Sequence, residues 1–416
     1  MTWHKFTVPP ALKHRRFVLF WLSMMISTAG SQMMLWALFW HLRTLSDQPI
    51  VVSGIGVARF LPILILSLIG GLVADMYNRR HVMFISQIVM TLVSLTFGLL
   101  TYFGIIQIWH MYILTAIQAA ALAFDMPARQ SLTPNLVPRE DLPSAFSLNS
   151  MSFNIGSVVG PGLSGLVIAS MGQSWTYFLD AISFGAVILS LILIGDVKQD
   201  INPLVRQQGI NLEAIKEGIA FIRSQPIILS SMILDFFATF FSSANTLLPF
   251  VARDILKVGA VEYGWLSAAQ PVGAVGIGLI FSQKARVKKQ GKLLLWSVVV
   301  FGLATIAFGL STSLWITLLS LVVIGGSDAV STILRNTIRQ LITPDSMRGR
   351  MVSINQIFFM GGPQLGEIEA GMVAQALGTP MAILTGGLGC ILAVIWIGRH
   401  WPALPGYSGE EASQKA

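Results

Sequence analysis

The sequence predicts an all-α membrane protein with twelve spanning helices, arranged as two similar bundles of six. Three observations lead to this fold class: an apolar composition, a series of apolar runs long enough to cross a bilayer, and an internal repeat. Of the 416 residues, 54% are hydrophobic and only 11% are charged, and the mean hydropathy is +0.71. Soluble domains have about 25% charged residues, so this composition argues against a water-soluble fold.

Apolar runs recur along the whole chain at about the 20 residues that a helix needs to cross the hydrocarbon core of a bilayer. The predicted spans are 17–42, 50–74, 81–103, 108–131, 144–170, 174–195, 226–251, 261–283, 292–311, 313–335, 346–375 and 378–398. A basic N-terminus precedes the first run, which lacks a small-residue cleavage site. We therefore interpret this run as a retained first span rather than a signal peptide.

The connections between spans are short except for one, which divides the chain into two sets of six. The predicted domains are an N-terminal bundle at 1–195, a cytoplasmic linker at 196–225, a C-terminal bundle at 226–400 and a cytoplasmic tail at 401–416. Within the linker, apolar residues fall on one stripe of an amphipathic helix, which favours a helix along the membrane surface. A calmodulin-type target helix has the same pattern. The stripe consists of Leu212, Ile215, Ile219 and Ile222.

The formal charge of +8 would indicate nucleic acid as a partner if the protein were soluble. In a membrane protein, Lys and Arg mark the cytoplasmic side. With the N-terminus inside, 23 of the 27 basic residues fall in the tails, the even-numbered loops or the adjoining helix ends. The exceptions are Arg43, Arg59, Arg253 and Lys257. We therefore expect no nucleic-acid partner and both termini in the cytoplasm.

The two halves are related by a shift of 206 residues, which places Arg129 over Arg335 and Asn149 over Asn355. Two like halves imply a pseudo-two-fold axis along the membrane normal, with a substrate between them near the midplane. A rocking transporter needs such a duplication, whereas a receptor or a structural protein does not. The same shift superposes Phe153, Gly156, Gly160 and Gly165 on Phe359, Gly362, Gly366 and Gly371.

The loop after the second span, residues 70–80, reads Gly-Gly-Leu-Val-Ala-Asp-Met-Tyr-Asn-Arg-Arg. Arg79 and Arg80 also fit a simple role as positive-inside residues, but that role leaves Asp75 unexplained. The loop resembles the signature between spans two and three of the major facilitator superfamily, Gly-x-Leu-Ala-Asp-Arg-x-Gly-Arg-Arg. It departs from the signature at Met76, where a basic residue is usual, and at Asn78, where Gly is usual and Asn tolerates left-handed geometry.

This resemblance implies a cytoplasmic gate formed by Asp75, Arg79 and Arg80 with Arg129 from the end of the fourth span. In the superfamily, the loop acid holds the cytoplasmic side closed, and the resemblance gives Arg129 as the partner of Asp75. The fold that it implies is two six-helix bundles that rock about a shared centre.

The fifth span carries small residues at four-residue spacing, followed by a proline, a pattern that allows close helix crossing and bends the helix. It is also similar to the antiporter motif that exporters of the superfamily carry and importers usually lack. The motif residues are Gly156, Gly160, Pro161, Gly162 and Gly165.

The run from Phe124 to Gln130 and the segment from Leu136 to Leu142 resemble one branch of the superfamily, the drug:proton antiporters that include the enterobactin exporter and macrolide efflux proteins. The branch implies a proton-coupled exporter of amphipathic small molecules such as siderophores or drugs, in the bacterial inner membrane. A lysophospholipid flippase or an importer of the same fold remains as an alternative. We expect a monomer in the lipid bilayer, driven by the proton gradient, without a cofactor.

A charge at the bilayer centre costs about 2.5–3.5 kcal/mol on insertion scales, so each intramembrane acid needs a reason. A buried carboxyl group can take up and release a proton near neutral pH. The proton-coupling candidates are Asp235, Glu367, Glu369, Asp328 and Asp125.

The alternative for Asp125 and Asp328 is a simple ion pair with Arg129 and Arg335. Glu367 and Glu369 lie about 200° apart on a helix and cannot both face one cavity wall. A sixth acid, Asp180, lies near the outer end of a span that usually faces lipid in this fold, and we interpret it as a capping or interface residue. Arg59 is the one base placed well inside a span.

Polar and aromatic residues on spans one and seven, together with Arg59, are candidates for the substrate wall. Ordinary helix packing and an interfacial tryptophan belt are the alternatives for these residues. The candidates in the first half are Ser31, Gln32, Trp36 and Arg59, and those in the second are Phe241 and Asn245.

The chain lacks the sequence signatures of the alternative classes. It has no Gly-x-x-x-x-Gly-Lys-Ser/Thr loop, no His-Glu-x-x-His and no Gly-x-Ser-x-Gly, so neither an ATP-driven pump nor a hydrolase is expected. Its single cysteine, Cys390, cannot form an intrachain disulfide or a thiolate metal cluster, and we expect no metal site.

Overall fold

The computed structural model describes residues 9–197, 212–283, 287–344 and 347–409. All regular elements in these ranges are helical. Helices close their backbone hydrogen bonds internally, which a lipid environment requires. The first seven helices are α1 Arg15–Leu45, α2 Pro49–Ser53, α3 Ile55–Met76, α4 Arg79–Tyr102, α5 Ile108–Leu132, α6 Leu142–Met171 and α7 Gln173–Ile194.

The remaining helices begin in the predicted linker. They are α8 Leu212–Ser224, α9 Pro226–Phe241, α10 Leu248–Phe250, α11 Ala260–Ser282, α12 Gln290–Leu310, α13 Leu314–Ile342, α14 Arg348–Leu377, α15 Thr379–His400 and α16 Ala403–Gly406. Helix α8 matches the predicted amphipathic helix. Residues 198–211 of the predicted linker, and 410–416 of the predicted tail, lie outside the described residues.

The long helices reproduce the twelve predicted spans. Eleven helical segments in the described ranges are long and apolar enough to cross a membrane. The twelfth, α14, has 30 residues but contains polar groups such as Asn355, Gln364 and Glu367, which lower its hydropathy. The predicted all-α membrane fold is confirmed.

The seventh span is broken, although the sequence predicts one helix over 226–251. Helix α9 ends at Phe241, and the chain resumes as a 3₁₀ turn, Asn245–Leu247, then α10 and a π-helical turn, Val251–Ile255. Ser242 at the break contacts Thr305 Oγ1 and Cys390 Sγ, each at 3.2 Å. These polar contacts from neighbouring helices stabilise a chain that has left the helical hydrogen-bond ladder.

The chain divides into two compact units. The first contains the described residues of Met1–His41 and Ala58–Gly209, and the second those of Leu42–Val57 and Ile210–Ala416. The sequence did not predict that 42–57 would pack with the C-terminal half. Helix α2 lies on α14 in the second unit, and Ser53 Oγ is 3.0 Å from Thr246 Oγ1.

The two units use the same helix pairs, as the internal repeat predicts. Helix α4 packs on α5 and α7, and its counterpart α12 packs on α13 and α15. Helix α6 approaches α1 at Gly156 and Gly160, and α14 approaches α9 at Gly362 and Gly366. These glycine pairs are related by the 206-residue shift, so sequence and packing repeat together.

Helix α3 exposes a continuous apolar face. Leu61, Leu64, Ile65 and Leu68 are each at least half exposed. A soluble protein would bury residues at this spacing, whereas a membrane protein presents them to lipid.

Candidate functional site

The first unit contains a cavity of about 420 Å³ that is lined by all six of its long helices. The polar lining residues are Ser27, Thr28, Ser31, Gln32, Arg59, Thr115, Gln118 and Arg129. The apolar ones are Met34, Leu35, Leu38, Ile63, Met90, Ala119, Leu122, Met126, Phe153 and Phe184. This volume is within the usual range for small-molecule sites.

Helix α1 supplies one wall because its lining residues recur at helical spacing. Ser27, Ser31, Leu35 and Leu38 follow one another at intervals of four, four and three residues, and so share a face. The first part of this face is polar and the second is apolar. The cavity is therefore amphipathic along α1.

Three of the predicted wall residues, Ser31, Gln32 and Arg59, line this cavity. Trp36 does not, because it lies on another face of α1 and packs edge-on against Phe39, with ring centroids 5.7 Å apart. The two candidates from the second half, Phe241 and Asn245, belong to the second unit and do not line this cavity. The ring of Phe241 packs against Gly389 of α15.

Arg129 reaches the cavity and carries an ion pair with Asp125, one turn earlier on α5. Asp125 is fully buried, and Gln87 Nε2 donates to its other oxygen at 2.9 Å. The pairing considered as an alternative for Asp125 is therefore the one observed.

The predicted ion pair of Asp75 with Arg129 is absent. Asp75 is exposed, and within the described chain Arg129 pairs with Asp125 instead. Asn78 is also not left-handed: with φ −61° and ψ 112° it caps α4, and its side chain accepts from Arg80 N at 3.0 Å. Short polar side chains favour this position because they satisfy an unpaired helical N–H group.

The two loop arginines bind the ends of neighbouring helices. Arg79 donates to Ser131 O at 3.1 Å and to Asn135 Oδ1 at 3.0 Å. Arg80 donates to Leu191 O at 2.7 Å and lies 3.2 Å from Asp196 Oδ1. They connect the start of α4 to the end of α5 and to the end of α7, and their role as gate residues remains a prediction.

The sequence predicts that Asp180 on α7 is a capping or interface residue, and the structure places it between α7, α1 and α4. It does not face lipid: it is 0% exposed and lies inside the first unit. Ser94 on α4 donates to Oδ2 at 2.6 Å, and Ser31 on α1 donates to Oδ1 at 3.4 Å. The sequence does contain a signal that Asp180 is buried. Small hydroxyl residues at three other positions of α7 mark a helix face that packs on other helices. These residues are Thr176, Ser183 and Ser190.

The glycine motif of α6 is a close helix crossing. A Cβ at Gly156 would lie 2.7 Å from Thr28 Cγ2, and one at Gly160 would lie 2.6 Å from Ala29 O. A Cβ at Gly162 would meet no atom within 4 Å. Gly165 and Pro161 are buried, and α6 continues through the proline.

The second unit contains a buried ionic cluster between α9 and α13. Asp235 Oδ1 lies 3.0 Å from Arg335 Nη2, and Oδ2 lies 3.4 Å from Arg339 Nη2. Arg339 also donates to Ser231 O at 2.8 Å. Asp328, about half exposed, lies 3.7 Å from Arg335. Arg335 and Arg339, both near the end of α13, are almost completely buried.

Glu367 and Glu369 lie in different environments, as their spacing predicts. Glu367 is 4% exposed and its carboxylate approaches Gly56 at the start of α3, whereas Glu369 is partly exposed. Glu367 is therefore the more enclosed of the two acids on α14.

Comparison with known proteins gives matches over nearly the whole chain. The family model described as transmembrane secretion effector matches residues 7–414. The enterobactin exporter of Escherichia coli strain K12 is 28% identical over 349 residues, 81% of this chain and 82% of that protein. The multidrug efflux pump Tap of Mycolicibacterium fortuitum is 27% identical over 376 residues, 88% of this chain and 90% of that protein.

Solved structures share the fold at lower identity. A bacterial homologue of the human lysosomal transporter Spinster, inward-facing and unoccupied, superposes with a TM-score of 0.70 at 15% identity and covers 98% of this chain and 99% of its own. A POT family transporter in complex with 5-aminolevulinic acid gives a TM-score of 0.70 at 16% identity, covering 96% and 98%. With a family model that matches almost every residue and a fold shared with these transporters, the chain belongs to the transmembrane secretion effector family of the major facilitator superfamily and is a multi-pass membrane transporter.

Proposed function

We propose that this transporter is an antiporter that exports amphipathic small molecules in exchange for protons, by alternating access, from a bacterial cytoplasm. The observation that carries the proposal is the cavity of the first unit, in which hydroxyl, amide and guanidinium groups face an apolar wall. Such a lining suits compounds with one polar and one apolar or aromatic side.

The proposed direction of transport, export, is supported by the functions described for two relatives. One is described as an exporter of enterobactin, a siderophore, and another as a multidrug efflux pump. The glycine-rich crossing of α6 with α1 agrees with the exporter motif that the sequence resembles.

Proton coupling rests on the buried carboxyl groups. Asp235 and Asp125 are already engaged by arginine, and Asp328 lies near Arg335. Glu367 is enclosed by α14 and the start of α3.

The test uses everted membrane vesicles from cells that lack their own exporters for two probes, ethidium and enterobactin. When respiration acidifies the vesicle interior, vesicles with this protein should accumulate at least one probe, and a protonophore should abolish the accumulation. Vesicles without the protein serve as the control. Equal accumulation with and without the protein would rule out export of both compound classes, and accumulation that survives the protonophore would rule out proton coupling.

A cavity variant tests where the substrate binds. Leu122→Trp places a larger side chain in the cavity, so accumulation of the transported probe should fall about tenfold, the effect of losing roughly 1.4 kcal/mol of binding. Leu99→Trp makes the same change on α4, where Leu99 is about half exposed, and should have no effect at equal expression. Equal transport by both variants would show that the cavity is not the substrate site.

A further inference from the structure

Asp180 is enclosed in the first unit by neutral polar groups. The side chains of Ser31 on α1, Ser94 on α4 and Gln118 on α5 surround its carboxyl group. Ser183, one turn further along α7, donates to the Asp180 carbonyl at 2.7 Å. In the described chain, none of the ion pairs involves Asp180.

These neighbours can satisfy Asp180 in either protonation state. A serine hydroxyl donates to a carboxylate, and it accepts from a protonated carboxyl group after a rotation about its C–O bond. An arginine can only donate. Asp125 and Asp235, which face arginine, therefore lose a partner when protonated, whereas Asp180 loses none.

The charged and titratable groups on the surrounding helices are few or distant. On its own helix, Tyr177 lies one turn away, and its hydroxyl is 2.9 Å from Nδ1 of His41 at the end of α1. On α5, Asp125 and Arg129 are seven and eleven residues beyond Gln118, or about 10 and 16 Å along the axis. Helix α6 carries no charged residue. The others are Arg15 and Arg16 at the start of α1 and Arg43 near its end, Arg59 and Asp75 on α3, Arg79, Arg80 and His81 at the start of α4 and Tyr102 at its end, and His110 and Tyr112 near the start of α5.

Two of the neighbours of Asp180 also belong to the cavity. Ser31 and Gln118 both line it, and so does Phe184, one turn beyond Asp180 on α7. A compound in the cavity is therefore separated from the buried carboxyl group by a single hydroxyl or amide group.

We propose that Asp180 binds the coupled proton and that Ser31 transmits its protonation state to the cavity, so that the exported compounds are hydrogen-bond donors such as phenols or aromatic amines. When Asp180 is ionised, the Ser31 hydroxyl donates to it and keeps both lone pairs for the cavity, and the anion polarises the hydroxyl into a stronger acceptor. When Asp180 is protonated, it donates to Ser31 and competes with the compound for the same oxygen.

The proposal rests on the proposed proton exchange and gives it a residue. Asp180 takes a proton from water, forming one O–H bond, and this weakens the binding of the compound. When a new compound donates to Ser31, the Asp180 O–H bond breaks and the proton returns to water. The compound keeps its own hydrogen throughout, so each compound that moves outward is exchanged for one proton, which Asp180 takes from water on the outer side and releases to water on the cytoplasmic side.

The first test needs no transport. In pH-difference infrared spectra of the full-length protein in nanodiscs, the carbonyl band of a protonated carboxyl group should be lost in Asp180→Asn and retained in Asp196→Asn, whose side chain is exposed. Ethidium, which carries amino groups, should reduce this band, whereas tetraphenylphosphonium, which has no hydrogen-bond donor, should leave it unchanged. Spectra of Asp180→Asn that match the wild type would overturn the proposal.

The second test separates this inference from the proposed function. In proteoliposomes without a gradient, exchange of ethidium by the wild type should slow as the pH falls, and the pH profile of Asp180→Asn should be flat. An unchanged profile in Asp180→Asn would overturn the assignment of Asp180 alone. If a pH gradient does not drive transport by the wild-type protein, the proton-coupled function itself is overturned.

A third variant covers the case in which Asp180→Asn does not fold. Ser31→Ala keeps the carboxyl group but removes the hydroxyl between it and the cavity. It should retain the carboxyl band of Asp180 and lose the response of that band to ethidium. A response equal to that of the wild type would show that Ser31 does not connect the two sites.

Discussion

At the scale of single residues, Asp235 is the counter-ion of two buried arginines. Arg335 and Arg339 each place a guanidinium nitrogen within 3.4 Å of one of its oxygens. Removing one member of a buried ion pair leaves uncompensated charge, which costs about 3–5 kcal/mol. Asp235 therefore contributes to the stability of the second unit whatever its part in transport.

Asp235→Asn is expected to lower the free energy of unfolding by about 3–5 kcal/mol. Asp328→Asn is the matched control, because Asp328 is about half exposed and lies 3.7 Å from the same arginine, so its loss should cost about 1 kcal/mol or less. A thiol-reactive dye can follow unfolding, since the single cysteine, Cys390, is buried in the folded protein. Equal melting temperatures for the two variants would contradict this role of Asp235.

The sequence could indicate which acids need an explanation, but it could not identify their partners. Asp235 meets arginines about a hundred residues away, and Asp180 meets serines from two earlier helices. Such partners depend on the rotation of each helix about its axis. In a membrane span both faces are apolar in composition, so periodicity determines that rotation poorly.

At the scale of helices, most predicted ends are correct within a few residues because the bilayer sets the length of each apolar run. The break after Phe241 escaped prediction for the same reason. The residues at the break, Ser242 to Asn245, are too few to interrupt an apolar run of about 20 residues, and the partners that stabilise it are distant in sequence.

Helix packing gives a prediction with a control in the same motif. Gly160→Ala places a methyl group 2.6 Å from Ala29 O and Gln32 Cβ, so α6 must move away from α1. Overpacking of this kind costs about 1–3 kcal/mol. Gly162→Ala adds the same methyl group where no atom lies within 4 Å.

We expect the unfolding temperature and probe transport to fall in Gly160→Ala and to stay at wild-type values in Gly162→Ala. Both can be measured in the detergent-solubilised protein and in everted vesicles. A loss of the same size in both variants would mean that the motif acts through helix flexibility rather than through the α1–α6 contact.

At the scale of the whole molecule, the duplication was predictable because matching residues recur in the sequence at a constant shift of 206 residues. The same helix pairs then recur in the two units. The packing of residues 42–57 in the second unit was not predictable from the sequence. It depends on the fit of small residues, with Ser53 of α2 packed against Gly371 of α14, and on the ion pair of Arg43 with Asp254 at 2.8 Å.

The orientation of the molecule in the membrane can be tested by labelling introduced cysteines, because the single native cysteine, Cys390, is buried. The wild type should not react with a membrane-impermeant maleimide, because Cys390 is 0% exposed. Gln48 between α1 and α3, and Glu140 between α5 and α6, are both exposed loop residues suited to replacement by cysteine. They lie on opposite sides of an odd number of spans, so their labelling must differ.

If both termini are cytoplasmic, as the distribution of Lys and Arg predicts, Gln48→Cys will be labelled in intact cells. Glu140→Cys will be labelled only after the membrane is permeabilised. The reverse pattern would place the basic loops outside and contradict the predicted orientation. Labelling of both variants in intact cells would contradict the helix count itself, because α3, α4 and α5 would then not all cross the membrane.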